Sequence, residues 1–417
     1  MNNKKYIFVP LLALSVAQPV LAELTTGGSI RVRYESKNDY NFTDAKQDYA
    51  LSQLRLNALW KVNQQNDLFI ELQDSRVFGE ELTDIPAVNE NARNQPFADP
   101  LDIHQAYWKT SGENYTVKVG RQKLNLGDMR LVASLEWVNT ARVHDGIRLT
   151  YNVNEKKSID FFATSLVSVD PEGLNDQSNS NNRYFDSQFH GIYVTDKSLS
   201  SNNQLDYWWF YRGNSDVNDS IHTFGAKYLT TLADWKVDVQ GSIQTGEYGD
   251  VDHSAQYFHA GINKDLMGGN VGFAYNYASG DSNPEDNEHN TFDNLYPLNH
   301  AYYGFMDLFS LQNIHNLEAV YKKKGFRVAY QMFWLADTED AWYNAGLRGN
   351  GSRLANANNS TSAYVGSEVD ITYKMKLQKN FVVVAGVSSF FAGDYVSDTG
   401  SDETNPVFFF LQSKYSF

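Results

Sequence analysis

Apolar and polar residues alternate with a period of two along almost the whole chain. That is the pattern of strands with one face in apolar surroundings and the other against water. Ile30, Val32 and Tyr34 share one face, with Arg31, Arg33 and Glu35 on the other. Leu54, Leu56, Ala58, Trp60 and Val62 alternate with Gln53, Arg55, Asn57 and Lys61, and Leu68, Ile70 and Leu72 alternate with Glu71 and Gln73. The rhythm returns in Ile159, Phe161 and Ala163 around Asp160, and in Leu205, Tyr207, Trp209 and Tyr211 around Asp206 and Arg212. It is cleanest in Trp235, Val237, Val239, Gly241 and Ile243, which enclose Lys236, Asp238 and Gln240. Phe326 to Trp334 repeats it around Arg327 and Gln331, and Val369, Ile371 and Tyr373 repeat it around Glu368, Asp370 and Lys374.

A soluble β-sandwich would also alternate, so length and connectivity have to decide. There are about 18 such segments of roughly 10 to 14 residues, longer than ordinary strands but matched to a tilted membrane-spanning one. The connections alternate between short and long. Asn63 to Asn66, Ser111 to Asn114, Asn154 to Lys156, Leu232 to Asp234, Lys323 to Gly325 and Gln378 to Asn380 are short. Phe78 to Pro100, Leu124 to Arg142, Asp170 to Arg183, Gly280 to Gln312 and Asp337 to Thr361 are long. The chain closes on a strand from Val407 to Phe417 that ends in Phe, with Tyr415 two residues before it. The expected fold is all-β: a transmembrane antiparallel β-barrel, of 18 strands or alternatively 16, with short periplasmic turns and long extracellular loops. Backbone groups in lipid must pair internally, and only closure leaves no edge. A barrel of that size encloses an aqueous channel unless loops fill it.

The first residues set the compartment. Lys4 and Lys5, the apolar run Ile7 to Ala17, and Val20-Leu21-Ala22 read as a secretory signal peptide over residues 1–22, leaving residues 23–417 as one outer-membrane domain. The chain has no cysteine, and aromatics are 14% of it, with 26 Tyr, 25 Phe and 8 Trp, as aromatic girdles at the membrane interfaces would require. A net charge of -15 excludes a nucleic-acid partner. The acids concentrate in the connections, whereas many arginines lie within strands.

If the apolar face meets lipid, the opposite face lines a lumen. Strand phasing places Arg33, Arg55, Arg148, Arg212 and Arg327 there, with Arg31, Lys61, Lys118, Lys227, Lys236 and Lys374. The acids of the same face include Asp160, Asp206, Asp238, Glu368 and Asp370, with Glu35, Glu71 and Glu318. Rings of Arg and Lys favour anions and acid rings favour cations. Arginine suits carboxylates because its planar fork donates two parallel hydrogen bonds. The alternative is that these charges cross-link neighbouring strands. Between two strand-like segments, the stretch from Leu124 to Arg142 adds Arg130 and Arg142, preceded by Arg121 and Lys123, yet it also holds Leu131, Val132, Leu135, Trp137 and Val138. So much apolar material in a loop predicts that it folds into the lumen and carries its cations with it.

The same stretch carries a resemblance. Gly120-Arg121-Gln122, Gly127-Asp128 with Arg130-Leu131, Leu135-Glu136-Trp137, Asn139-Thr140 with Arg142, and Asp145-Gly146 with Arg148 are similar to the alginate-export family of outer-membrane porins. Thr291 to Pro297, Asn299-His300 with Tyr302-Tyr303-Gly304, Met306-Asp307-Leu308, Phe333 to Asp337 and Tyr343 to Gly346 extend the likeness over most of the chain. The resemblance implies a passive porin with a basic constriction that conducts a uronic-acid (alginate-like) polysaccharide or its oligosaccharides. It also assigns Arg121, Arg142 and Arg148 to the substrate pathway. The alternatives are a general or small-solute porin, and a structural or adhesive barrel with acidic outer loops. The expected surroundings are outer-membrane lipid and lipopolysaccharide of a Gram-negative bacterium, with the barrel monomeric and periplasmic export partners conceivable. No cofactor and no catalytic constellation is expected. Gly280 to Asp286, near His300 and Asp307, could hold Ca²⁺ in the outer loops, but as a solvated acidic loop it has no Ca²⁺-loop spacing.

Overall fold

The structure is a computed structural model that describes residues 23–42, 46–79, 96–169, 188–214, 217–283, 285–345, 362–398 and 404–417. The expected signal peptide, and parts of the long connections after residues 79, 169, 345 and 398, lie outside the described residues.

The first half of the wall is β1 (Glu23–Asn38), β2 (Lys46–Lys61), β3 (Asn66–Phe78), β4 (Asp99–Ser111), β5 (Tyr115–Gln122), β6 (His144–Asn154), β7 (Lys157–Leu166), β8 (Gln188–Ser200) and β9 (Asn203–Asn214). The second half is β10 (Asp219–Leu232), β11 (Trp235–Tyr248), β12 (Val251–Leu266), β13 (Gly269–Ala278), β15 (Ile314–Lys323), β16 (Phe326–Trp334), β17 (Tyr364–Gln378), β18 (Phe381–Ala392) and β19 (Val407–Ser416). Between the last two groups of strands, β14 (Glu288–His289) is a two-residue piece that lies parallel to the outer end of β12. The 18 long strands pair antiparallel in chain order, and β1 pairs with β19 to close the barrel. At the seam Gly28 and Phe417 exchange backbone hydrogen bonds of 2.9 and 3.0 Å. A Cβ on Gly28 would stand 2.4 Å from the Arg55 carbonyl oxygen and 2.7 Å from the Phe417 ring, so only glycine admits this closure.

The expected alternation is the lipid boundary. Ile30, Val32, Tyr34, Leu54, Leu56, Ile70, Phe161, Ile243, Phe273, Tyr330 and Ile371 are exposed around the outside, a surface stable only in hydrocarbon. Trp60, Trp108, Tyr115, Tyr151, Tyr373 and Tyr415, exposed near the short turns, supply an aromatic girdle. Both termini of the described barrel lie on the short-turn side, which is therefore periplasmic. Two outer connections depart from the long pattern: Asn214 reaches Asp219, and Tyr248 reaches Val251, within a few residues.

The lumen has two unlike halves. Toward the periplasm the inward side chains, among them Asn57, Lys118, Lys236, Lys322 and Lys374, are exposed or half-buried. Toward the outside the barrel encloses a continuous apolar core. Wall residues Phe162, Phe189, Phe210, Phe333, Phe390 and Phe410 pack there against Leu124, Leu126, Leu131 and Val132 of one loop and Phe292, Tyr303, Leu308 and Phe309 of another. Each fully buried side chain of this kind contributes about 1.5–3 kcal/mol. On β7 to β9, β16, β18 and β19 large inward rings replace the polar phase of the strands where the loops cover them.

Candidate functional site: the inward loop and the lumen wall

Residues 123–143, joining β5 and β6, fold inward as their Leu, Trp and Val content predicts. The loop adds to the second inward loop, residues 279–313, by a parallel bridge between Val132 and Tyr296, with Ala133 N donating to the Tyr296 carbonyl at 2.8 Å and Tyr296 N to that of Leu131 at 2.9 Å. Met129, Leu135 and Ala141 sit at φ of 67°, 49° and 59°. Left-handed backbone at such residues costs on the order of 1 kcal/mol or more each and persists only where the surroundings over-determine it.

The surroundings do so from two walls. On β1 to β3, Arg31 donates to the carbonyls of Glu136 at 2.6 Å and Val138 at 3.0 Å, and Arg33 donates to that of Trp137 at 2.6 Å. Gln53 and Gln73 donate to the carbonyls of Asn139 and Thr140 at 2.6 and 2.8 Å. Arg55 pairs with the Glu136 carboxylate at 2.6 Å, and Lys123 joins it at 2.9 Å. The Trp137 ring is held between the Arg33 guanidinium, 3.8 Å from its centre, and the His300 ring, 3.7 Å away and nearly parallel. On β10 to β13, Asp128 accepts from Lys227 at 3.0 Å and Gln240 at 2.7 Å. Tyr302 donates to the Asp128 carbonyl.

Burial alone would raise the Asp128 carboxyl, but Arg130 and Lys227 outweigh it and hold the group at about 2. Partial burial likewise opposes ionisation of Glu136, whose side chain keeps an open edge, and Arg55 and Lys123 override it, taking it well below the carboxylate range. Both folded-state values lie below the unfolded ones, so the stabilisation is complete above the unfolded carboxylate range and is lost as pH falls through the folded values. The loop therefore stays attached in mild acid.

The arginines expected along the substrate pathway divide into two groups. Arg121 is buried and makes a two-pronged contact with Asp145 at 2.9 and 3.1 Å, with a third bond to the Ile103 carbonyl, so it braces β4, β5 and β6. Arg130 donates to Asn276 at 3.0 Å and to the Tyr303 hydroxyl at 2.9 Å, with its guanidinium 4.0 Å from the centre of the Tyr302 ring. Arg142 is buried against the carbonyls of Ala133 at 3.0 Å and Pro297 at 3.4 Å, and burial lowers its pKa to about 10. Arg212 is buried beside Asp293 at 2.7 Å and Asp219 at 3.7 Å. Arg33 pairs with Glu35 at 2.6 Å as well as holding Trp137. These five, with Arg55, have the geometry of braces, because each guanidinium is desolvated by protein and held by protein acceptors, although Arg55 Nη2 and Arg130 Nε make no hydrogen bond. Arg148, paired with Asp160 at 2.8 Å, and Arg327, paired with Glu318 at 3.0 Å, keep 22% and 16% of their side chains exposed in the lumen.

The acids of the same expectation are also engaged. Asp206 accepts from Tyr193 at 2.7 Å, and Asp238 pairs with Lys227 at 3.2 Å. Glu368 accepts from Met306 N at 3.0 Å, and Asp370 accepts from Phe305 N at 3.3 Å and Ser388 at 2.6 Å, so both hold the second inward loop. Gly304, at φ 92°, makes that contact possible: a Cβ there would sit 2.4 Å from the Glu368 carboxylate. In the outer loop His300 and Asp307 pair at 3.0 Å, and Asp281 and Asp286 accept from backbone N–H groups of Asn283 and Glu288. Among the described residues no three His, Asp or Glu side chains converge at metal-binding distance.

One cation absent from the sequence expectation is Lys414. It follows Phe408, Phe410 and Gln412 on the inward phase of β19 and lies within the electrostatic reach of Arg55, Glu136, Arg31 and Lys123. Among the described residues neither Lys414 nor Lys118 forms an ion pair within 4 Å, although Lys414 lies in the field of Glu136. Lys118 stands directly across from Lys109 on β4 and Arg148 on β6.

A closed, lipid-faced barrel with a polar lumen narrowed by inward loops defines a channel of the Gram-negative outer membrane. The chain belongs to the alginate export family, whose model matches residues 22–410, and the family and fold are those of channels, not enzymes. Its fold is shared with solved porins of Pseudomonas aeruginosa. OpdO is 13% identical with a TM-score of 0.64, over 95% of this chain and 97% of that one. OpdK with vanillate is 11% identical with a TM-score of 0.62, over 94% and 98%. OccK2 (OpdF) in complex with glucuronate is 12% identical with a TM-score of 0.60, over 95% and 98%. No curated protein matches the chain.

Proposed function

We propose that this outer-membrane channel passes anionic, uronic-acid type saccharides by diffusion. The observation that carries this reading is the charge at the neck. Where the inward loop narrows the lumen, Arg31, Arg55, Lys123 and Lys414 surround Glu136, and even with Glu71, 3.6 Å from Lys123, they leave an excess of positive charge. A sugar carboxylate entering there replaces part of its hydration with the ammonium donors of Lys123 and Lys414, while the buried Arg31 and Arg55 contribute their charge. In the row Lys109, Lys118 and Arg148, Asp67 pairs with Lys109 at 2.6 Å and Asp160 with Arg148 at 2.8 Å, so Lys118 between them is the cation left to an anion. The family and the carboxylate ligands in the OpdK and OccK2 structures point the same way. Size is a separate matter: those neighbours hold single small carboxylates, so short oligomers and monomers fit the reading as well as a polymer does.

Liposome swelling tests it. Wild-type channels are expected to admit glucuronate faster than neutral glucose, and Lys118→Glu with Lys414→Glu is expected to reverse that order while the barrel still folds. Neither lysine forms an ion pair within 4 Å, and changing a charge that faces the water of the lumen costs the fold little. Equal admission of both sugars by wild type and variant alike would contradict the proposal.

A further inference from the structure

The periplasmic end exposes acids at Glu113, Glu155, Asp234 and Asp265, but its sector from β15 to β19 is basic and unlike the outer end, and this bears on the side from which a solute is taken. Around the periplasmic mouth the inward phase carries Lys322 on β15, Arg327 on β16, Lys374 and Lys376 on β17 and Lys414 on β19. The register makes them one band. Lys322 is directly opposite Arg327, Arg327 is opposite Thr372 with Lys374 the next inward residue, Lys376 and Lys414 face the same Val382, and Lys414 is opposite Arg31. At about 4.8 Å between strands the band, four steps from β15 to β19, spans roughly 19 Å of the mouth. Arg327 is paired with Glu318. Among the described residues none of the four lysines forms an ion pair within 4 Å, although Lys322 lies in the field of Glu318 and Lys414 in that of Glu136, and Lys322, Lys374 and Lys376 are exposed.

The opposite end carries the reverse charge. Outside residues 123–143, the described outer connections contain no Lys or Arg, and Asp250, Glu285, Asp286, Glu288 and Glu339 are exposed there. An anion approaching from outside first meets repulsion, whereas one approaching from the periplasm meets an attractive, low-dielectric-walled funnel that leads past Lys414 to the neck.

We propose that the lysine band is an anion-capture site on the periplasmic mouth, so that the channel loads carboxylated saccharides from the periplasmic side. This rests on the reading of the lumen as a uronate pathway. It adds sidedness, which a passive pore expresses in its association rates and not in its equilibrium. Electrostatic funnels raise association rates by about 10- to 1000-fold, and screening removes that gain at high salt because the Debye length falls to about 3 Å at 1 M.

The test is single-channel block by a linear trimer of galacturonic acid, added to one side at a time. Orientation is fixed by reaction of Ser201→Cys, in an otherwise cysteine-free chain, with an impermeant thiol reagent. At low salt the periplasmic on-rate is expected to be about tenfold the outer one, and the two converge in 1 M KCl. Lys322→Gln with Lys374→Gln and Lys376→Gln is expected to bring the periplasmic on-rate down to the outer value and leave the outer value unchanged. Block at equal rates from both sides, faster block from outside, or a triple variant that keeps the difference would overturn the capture site alone. Absence of block from either side would overturn the uronate pathway itself, and the capture site with it.

Discussion

Replacing Arg212 with alanine is expected to abolish assembly of the barrel. Arg212 is 2% exposed, and Asp219 and Asp293, at 3.7 and 2.7 Å, are almost as deeply buried. Asp219 begins β10, and Asp293 belongs to the second inward loop, so one guanidinium joins wall to wall and wall to loop. Removing one member of a buried ionic cluster leaves the others as uncompensated charge, at a cost of about 3–5 kcal/mol. That is a large share of the stability of most folded proteins. The measurement is the fast-migrating folded band on an unheated gel after refolding into detergent. Arg212→Ala should lose it and Arg212→Lys should recover part of it, whereas Lys414→Ala should keep it in full. A normal folded band for Arg212→Ala would show that the arginine is not a brace.

Replacing Glu136 with alanine should instead leave the barrel intact and loosen the neck. Glu136 ties the inward loop to Arg55 at 2.6 Å and Lys123 at 2.9 Å, but its own side chain is 43% exposed and water offsets part of the loss. A cost of about 1–3 kcal/mol is the expected scale, and each 1.4 kcal/mol shifts the attached-to-detached ratio about tenfold. Asp128 in its Lys227 and Gln240 cradle, the Trp137 and His300 stack, and the buried leucines still hold the loop. Detachment should therefore be brief and repeated. Single-channel recordings are expected to show flicker toward a larger conductance, and stronger anion preference because an acid has left the neck. A quiet channel of unchanged conductance would show that the loop does not set the bore.

The wall was legible in the sequence because lipid imposes one demand everywhere: every second residue apolar, over a length fixed by the membrane. Ile30, Val32 and Tyr34, or Tyr330 and Ile371, needed no tertiary partner to declare their face. The inward course of residues 123–143 was legible for a related reason, since Leu131, Val132 and Trp137 could not remain in water. What each charge does was not legible. Arg142 and Arg148 lie six residues apart in one motif, yet the first turns to the carbonyls of Ala133 and Pro297 and the second keeps an open edge toward the lumen. Phase gives a face; it gives neither depth nor partner. The partners that matter are distant in sequence, as with Arg31 and Glu136 or Lys227 and Asp128. Asp128 and Glu136, which weigh against an anion pathway in a count of charges, are in fact carboxylates that fix the loop. Lys414 was hidden by the run of aromatic residues before it, although it shares the phase of Phe408 and Phe410.

The most direct test of the whole reading is the reversal potential of the wild-type channel in a KCl gradient across a planar bilayer. The chain carries a net charge of -15, so a pore governed by total charge would prefer potassium. A pore governed by the cations at its neck and periplasmic mouth is expected to give a reversal potential of the sign set by chloride, which Lys118→Glu with Lys414→Glu shifts toward potassium. A wild-type reversal potential of the potassium sign, unmoved by those substitutions, would contradict it.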